Sequence, residues 1–295
     1  MTRVPISLLR GHARLAEGPW WHEEEGSLYF TDIPAGRLWT FDPSTGQAKI
    51  FCETESDADG ERVPIGGFTL QEDGSWLLFR KDDVARVDAA GRLIAIWPVR
   101  LDGARRFNDV IADPAGRVYA GTIGETPESG GLYRFDRNGA VICICRGTGC
   151  ANGLAFSPDG TRLYWTCTTT RTIYRFDYCR ETGSLTNRVP FYVCAADEGW
   201  PDGLTIDVSG NLWSARWGTG KLFVISPGGK EVERFHFPET NITSAAWGGT
   251  GLADLYVTAA RENGQPGEHD LFVIPQAGSG LPGYRSSLPL DGAAP

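Results

Sequence analysis

Six times along the chain the same phrase recurs: an apolar strand, a tight turn, then an apolar or aromatic dipeptide opening the next strand. The dipeptides are Leu28-Tyr29, Trp76-Leu77, Val118-Tyr119, Leu163-Tyr164, Leu212-Trp213 and Leu255-Tyr256, spaced 42 to 49 residues apart. Repetition at this length, with strand-like alternation and Gly-rich turns, means radial stacking of identical units. Each unit continues into a third alternating strand, such as Arg37-Leu38-Trp39-Thr40-Phe41 or Leu132-Tyr133-Arg134-Phe135, then a turn and a fourth strand. The pattern predicts an all-β chain: a six-bladed β-propeller of four-stranded antiparallel blades. The blades fall near residues 11–52, 62–99, 107–146, 151–194, 201–237 and 243–288 of a single domain spanning 1–295. A closed ring needs a clasp. Residues 4–10, apolar and alternating, are predicted to supply the outermost strand of the last blade and so cover an open edge.

Composition narrows the function. The net charge of -9 argues against nucleic acid, which demands a basic surface. No Lys/Arg cluster suits a membrane surface, no run is long enough to span one, and the amino terminus lacks an apolar signal core. The expectation is a soluble, cytoplasmic protein. Seven cysteines form an odd set without disulfide-like spacing, so buried reduced thiols are expected. Cys143 and Cys145 would share one strand face near Cys150, but no C-x-x-C pair or nearby His supports a soft-metal cluster.

In a propeller the inner strands start around one axis. Ten or eleven residues before the six dipeptides stand Glu17, Gly66, Asn108, Asn152, Asp202 and Ser244. Four of these bring oxygen donors, the set a hard divalent cation prefers, and none is His or Cys. Glu17 and Asp202, crowded at an axis, would repel each other, and a cation removes that conflict. The competing reading is that Asn and Asp merely cap turns. Matched offsets in repeats one, three, four and five favour the cation. The loops around Asp32, Arg80, Glu125, Thr168 and Arg216 are expected on the same face, with the uncharged Gly66 side left as space for a substrate. The turns at residues 22–26, 114–116, 157–160 and 208–210 belong to the opposite face. His12, His22, His236 and His269 fall away from the axis, which disfavours a nucleophile–histidine mechanism.

Three weaker motifs add nothing. Residues 278–283 spell a dinucleotide fingerprint but contain Pro282 and open no helix. Residues 57–60 begin like a calcium loop, yet Arg62 stands where its glycine belongs. Asn241-Ile242-Thr243 is a sequon without a secretory signal.

Leu15-Ala16-Glu17-Gly18-Pro19-Trp20-Trp21, Arg106-Phe107-Asn108-Asp109, the run from Asn152-Gly153 to Asp159-Gly160, and Pro201-Asp202-Gly203-Leu204 resemble the motifs of the regucalcin (senescence marker protein)/gluconolactonase family. The resemblance covers residues 11–275 in motif order and spacing. It implies one catalytic divalent cation held by Glu17, Asn152 and Asp202, with calcium expected first and zinc, manganese or magnesium as alternatives. It implies substrate contacts from Arg106 and Asn108, with Glu125 the nearest acidic residue of the third blade's site loop. The implied reaction is hydrolysis of a sugar lactone to the sugar acid. Asp202 would be the general base and Trp200 an apolar wall under the sugar, whereas Trp20 and Trp21 suit blade packing. A non-catalytic calcium-binding propeller and a phosphate-ester hydrolase using the same metal site are the alternatives.

Overall fold

The computed structural model describes residues 3–261 and 269–289. The described residues form six four-stranded antiparallel sheets arranged as a six-bladed propeller. Five blades each use four consecutive strands. Blade 1 is β2 (Ala16–His22) to β5 (Gln47–Glu53), and blade 2 is β6 (Gly67–Leu70) to β9 (Leu93–Pro98). Blade 3 runs from β10 (Ala104–Ala112) through β11 (Val118–Gly124) and β12 (Gly130–Phe135) to β13 (Val141–Thr148). Blade 4 holds β14 (Ala151–Phe156), β15 (Arg162–Cys167), β16 (Thr172–Cys179) and β17 (Ser184–Val193). Blade 5 holds β18 (Trp200–Ile206), β19 (Leu212–Trp217), β20 (Lys221–Ile225) and β21 (Glu231–His236). Blade 6 takes β22 (Asn241–Gly248), β23 (Asp254–Ala260) and β24 (Leu271–Ile274), and its outermost strand is β1 (Ile6–Leu9) from the amino terminus. The predicted clasp is therefore present, with Ile6 opposite Val273 and Leu9 opposite Leu271. The range expected for the last blade includes residues 262–268, which lie outside the described residues.

Burial follows position in the blade. Every residue of β14 is buried, while no residue of β17 is. Inner strands pack against neighbouring blades on both faces, whereas the outermost strand meets water. The six recurring dipeptides all lie on second strands with both members buried, and they supply much of the inter-blade core. Between blades 2 and 3, Phe79 meets Phe107 and Phe135 edge-on at 5.5 and 5.3 Å.

The segment after β24 does not continue blade 6. It crosses the far face of the ring and touches a turn or strand end of every blade. Gly280 bridges Asp207, Tyr284 packs on Phe156, and Arg285 pairs with Glu24. Ser286 bridges Gln71, the Ser287 amide donates to the Gly116 carbonyl, and the Gly280 amide donates to the Leu252 carbonyl. This strap contains the glycine-rich run 278–283 and floors a central chamber of about 160 Å³. Trp20 and Trp21 line that chamber. Trp20 also meets Trp76 edge-on, and Trp21 stacks on Tyr256.

Ring closure predicts a contrast between two residues of one strand. Leu9 is buried among Phe30, Trp39 and Phe41, whereas Ile6 is 52% exposed. Leu9→Ala should cost about 2–3 kcal/mol in urea unfolding, and Ile6→Ala less than about 0.5 kcal/mol. Equal costs would mean that β1 contributes no packing to the clasp.

Candidate metal centre and substrate cleft

The polar residues of the axis sit at breaks in the inner strands. In β2, Glu17 pairs with Thr31 and Trp20 with Tyr29, so three residues advance against two. The same offset recurs between Phe107 and Val110, between Ala151 and Leu154, and between Pro201 and Leu204. Such bulges bend the strand and re-aim side chains that strict alternation would bury within the blade. Asn108, Asn152 and Asp202 each occupy the first extra position, and Glu17 borders its own bulge. In blade 2, β6 and β7 (Trp76–Phe79) pair without a shift, and none of that blade's described residues lines the cleft on the near face.

Glycine makes the convergence possible. A Cβ on Gly203 would come within 2.2 Å of the Ser244 hydroxyl, and one on Gly153 within 2.4 Å of the Leu204 amide nitrogen. Gly18, at φ +54°, turns its amide back to donate to Glu17 Oε2 at 2.7 Å.

Glu17, Arg106, Asn108, Asn152, Trp200 and Asp202 line one cleft of about 370 Å³ on the near face, together with Cys150, Thr168 and Trp217. All but Trp200 are wholly or partly buried; Trp200 is 44% exposed at the rim, where the Arg171 guanidinium lies 4.4 Å from its ring centre. Arg106 Nη1 donates to Asn108 Oδ1 at 2.7 Å, and Asn108 Nδ2 donates to Asn152 Oδ1 at 2.8 Å. Arg105 is exposed and does not line the cleft.

Other expected positions differ. Glu125 lines a neighbouring pocket of about 290 Å³ between blades 2 and 3, and this pocket shares only Arg106 with the axial cleft. The loop carrying Glu125 leaves the axis because its amide is tied to the Gly103 carbonyl at the blade's edge. The Gly66 side is closed by backbone: a Cβ there would stand 1.9 Å from the Phe107 carbonyl oxygen. Arg80 is buried in ion pairs with Asp83 and Glu55. Arg216 is fully buried, its guanidinium 4.4 Å from the Phe223 ring centre. Asp32 accepts the backbone amides of Arg14 and Leu15. These three serve the scaffold.

All seven cysteines are free thiols, but Cys143 and Cys179 are exposed, contrary to a uniformly buried set. A register shift in the pairing of β12 with β13 separates Cys143 from Cys145, so strict alternation does not describe that stretch.

Asp109 was not anticipated. It occupies the second bulge position of β10, where blades 4 and 5 carry Gly153 and Gly203. Enclosed by the ring, it presents part of its surface to the central chamber, and its Oδ2 has no hydrogen-bond partner among the described residues. An acid at a repeat position held by glycine in blades 1, 2, 4 and 5 was the available signal.

Electrostatics ties these groups together. Burial drives the Glu17 carboxyl well above the ordinary carboxylate range, and the charges of Asp109 and Asp202 push it further. Burial and then Asp109 raise Asp202 in the same way. Burial lifts Asp109 to about 7 against the pull of Arg106. Three ionised carboxylates beside one guanidinium would leave two negative charges uncompensated, which one divalent cation cancels. Among the described residues, no three His, Cys, Asp or Glu side chains stand close enough to hold an ion by themselves, so an ion held here would need amide oxygen as well. Carboxylate and amide oxygen suit a hard cation, and the orphaned Asp109 oxygen marks the same charge deficit.

A propeller with an oxygen-rich cleft on its axis defines a class rather than an activity. Residues 15–261 match the family model described as SMP-30/Gluconolactonase/LRE-like region. The pentonolactonase XacC of Haloferax volcanii is 41% identical, over 94% of this chain and 96% of its own. The 6-deoxy-6-sulfogluconolactonase of Pseudomonas putida is 32% identical, over 87% of each. A structure described as the calcium-binding protein regucalcin from Agrobacterium tumefaciens superposes with a TM-score of 0.84 at 24% identity, over 96% of this chain and 98% of that one. The chain belongs to the SMP-30/gluconolactonase/LRE-like family.

The raised carboxyls predict a sign. Without a cation, the folded protein retains protons at Glu17, Asp109 and Asp202 that the unfolded chain has released. Their contribution to stability is therefore fullest below the unfolded carboxylate pKa values and falls as pH rises toward the folded ones. Calcium added to chelator-treated protein should raise the thermal midpoint more at pH 8 than at pH 5. An equal gain at both pH values would contradict the assignment.

Proposed function

We propose that this protein hydrolyses a sugar lactone with one divalent cation held by Glu17, Asn152 and Asp202. What carries the reading is the content of a single cleft: two buried carboxylates and an amide face it together with Arg106 and Asn108, which bring hydrogen-bonding groups suited to sugar hydroxyls. Lactonase relatives of nearly full coverage support the reaction class. Calcium is the first ion to test, because every donor is an oxygen; manganese, zinc and magnesium take the same atoms with different preferences in number and distance.

A bound cation supplies Lewis acidity, polarising the lactone carbonyl and lowering the pKa of water. The chain's own groups do the rest. Arg106 presents a guanidinium already fixed by Asn108 Oδ1 and the Phe107 carbonyl, so little freedom is lost when it meets a ring hydroxyl. Asp202 takes the proton of the attacking water and returns it to the ring oxygen as the acyl C–O bond breaks, leaving the open sugar acid. Trp200, braced by Arg171, forms an apolar wall at the rim. The side pocket that holds Glu125 adjoins Arg106 and suits the end of the sugar distant from the reacting carbonyl.

Asp202→Asn should fold normally and lose at least about 100-fold in kcat on aldonolactones, as expected for removal of a general base. Pentonolactones lead the panel of five- and six-membered lactones, since the relative at 41% identity is named for that substrate. Chelator-treated enzyme is assayed with calcium, manganese, zinc and magnesium in turn. Wild-type turnover in Asp202→Asn would refute the mechanism.

A further inference from the structure

The Thr168 side chain lies on the wall of the cleft, one residue past β15, and no family motif quoted above contains it. Its hydroxyl joins two blades. Asn152 Nδ2, from blade 4, donates to Thr168 Oγ1 at 2.9 Å. Thr168 Oγ1 in turn donates at 2.7 Å to the carbonyl of Pro201, the residue before Asp202 in blade 5. The Thr168 amide is itself held by the Cys150 carbonyl at 3.0 Å, so the hydroxyl stands on fixed backbone.

These bonds end a chain of donors that crosses three blades. Arg106 donates to Asn108 Oδ1, Asn108 Nδ2 donates to Asn152 Oδ1, Asn152 Nδ2 donates to Thr168, and Thr168 donates to Pro201. The two ends set its direction. A guanidinium has no acceptor and a carbonyl has no donor, so each group between them must accept on one side and donate on the other. A hydroxyl has one proton. Thr168 gives its proton to Pro201 and can only accept from Asn152, which forces that amide to present nitrogen to Thr168 and oxygen to the side shared with Asn108. A reversed amide would present N–H groups where a cation needs a lone pair.

We propose that Thr168 is a positioning residue of the metal centre: its hydroxyl locks the Asn152 amide with oxygen toward the axis and anchors the strand that delivers Asp202. The inference rests on the cation reading above but concerns a residue outside the proposed ligand set of Glu17, Asn152 and Asp202. Partners that orient a metal ligand in this way affect binding of the metal itself, by roughly 10–100-fold on removal.

The test is calcium titration by calorimetry into chelator-treated full-length protein, without any substrate. Thr168→Val keeps the shape and deletes the hydroxyl; it should weaken calcium binding at least about tenfold. Thr168→Ser restores the hydroxyl and should bind within about threefold of wild type, a rescue that loss of packing alone would not give. Thr168→Ala, with the same expected loss, replaces the Val variant if the latter does not fold. Wild-type affinity in the Val or Ala variant, or a Ser variant as weak as Val, overturns the role of Thr168 while leaving the metal centre standing. A wild-type protein that binds no calcium, manganese, zinc or magnesium overturns the cation reading, and the proposal with it.

Discussion

Glu17 and Asp202 face one axis with Asp109 beside them, and each raises the energy of ionising the others. Nothing local to any one strand would hold three carboxylates so close. Ring closure does. The first strand is stitched to β24, so the last blade is completed only after the whole chain has been laid down. Six interfaces packed like Phe79 on Phe107 and Phe135 then fix the inner strands at a spacing set by large side chains far from the axis. The stability of the rim thus imposes an unfavourable arrangement on the centre, which is how strain comes to be held at a functional site.

Two devices refine that arrangement. The bulges, matched in blades 1, 3, 4 and 5, give each inner strand an extra residue where it meets the axis and turn a polar side chain inward. The strap crosses the far face and floors the chamber beneath Asp109, so the axis is lined by protein at that end. The cleft on the near face is walled by Glu17, Arg106, Asn108, Asn152, Trp200 and Asp202, groups of the kind that meet a sugar.

Much of this was legible in the residues. The recurring dipeptides counted the blades, the apolar stretch before the first repeat announced the clasp, and matched offsets brought Glu17, Asn108, Asn152 and Asp202 together. Alternation failed where geometry breaks it. A bulge turns Asp109 inward although it directly follows Asn108. Arg80 and Arg216 occupy site-loop positions, but Arg80 is held in ion pairs with Asp83 and Glu55, and Arg216 is buried against the Phe223 ring. Gly66 looked like open space, yet its missing side chain admits the neighbouring backbone. The strap carries no periodicity at all, since its conformation is dictated by the six blade ends it touches.

One divalent cation on the axis is proposed to offset the carboxylates gathered there. Crystals of the protein soaked in manganese, measured for anomalous scattering, test it most directly. A single strong peak is expected within bonding distance of Glu17, Asn152 and Asp202 oxygens. An axis without a peak at saturating manganese, or manganese bound only elsewhere, would contradict it.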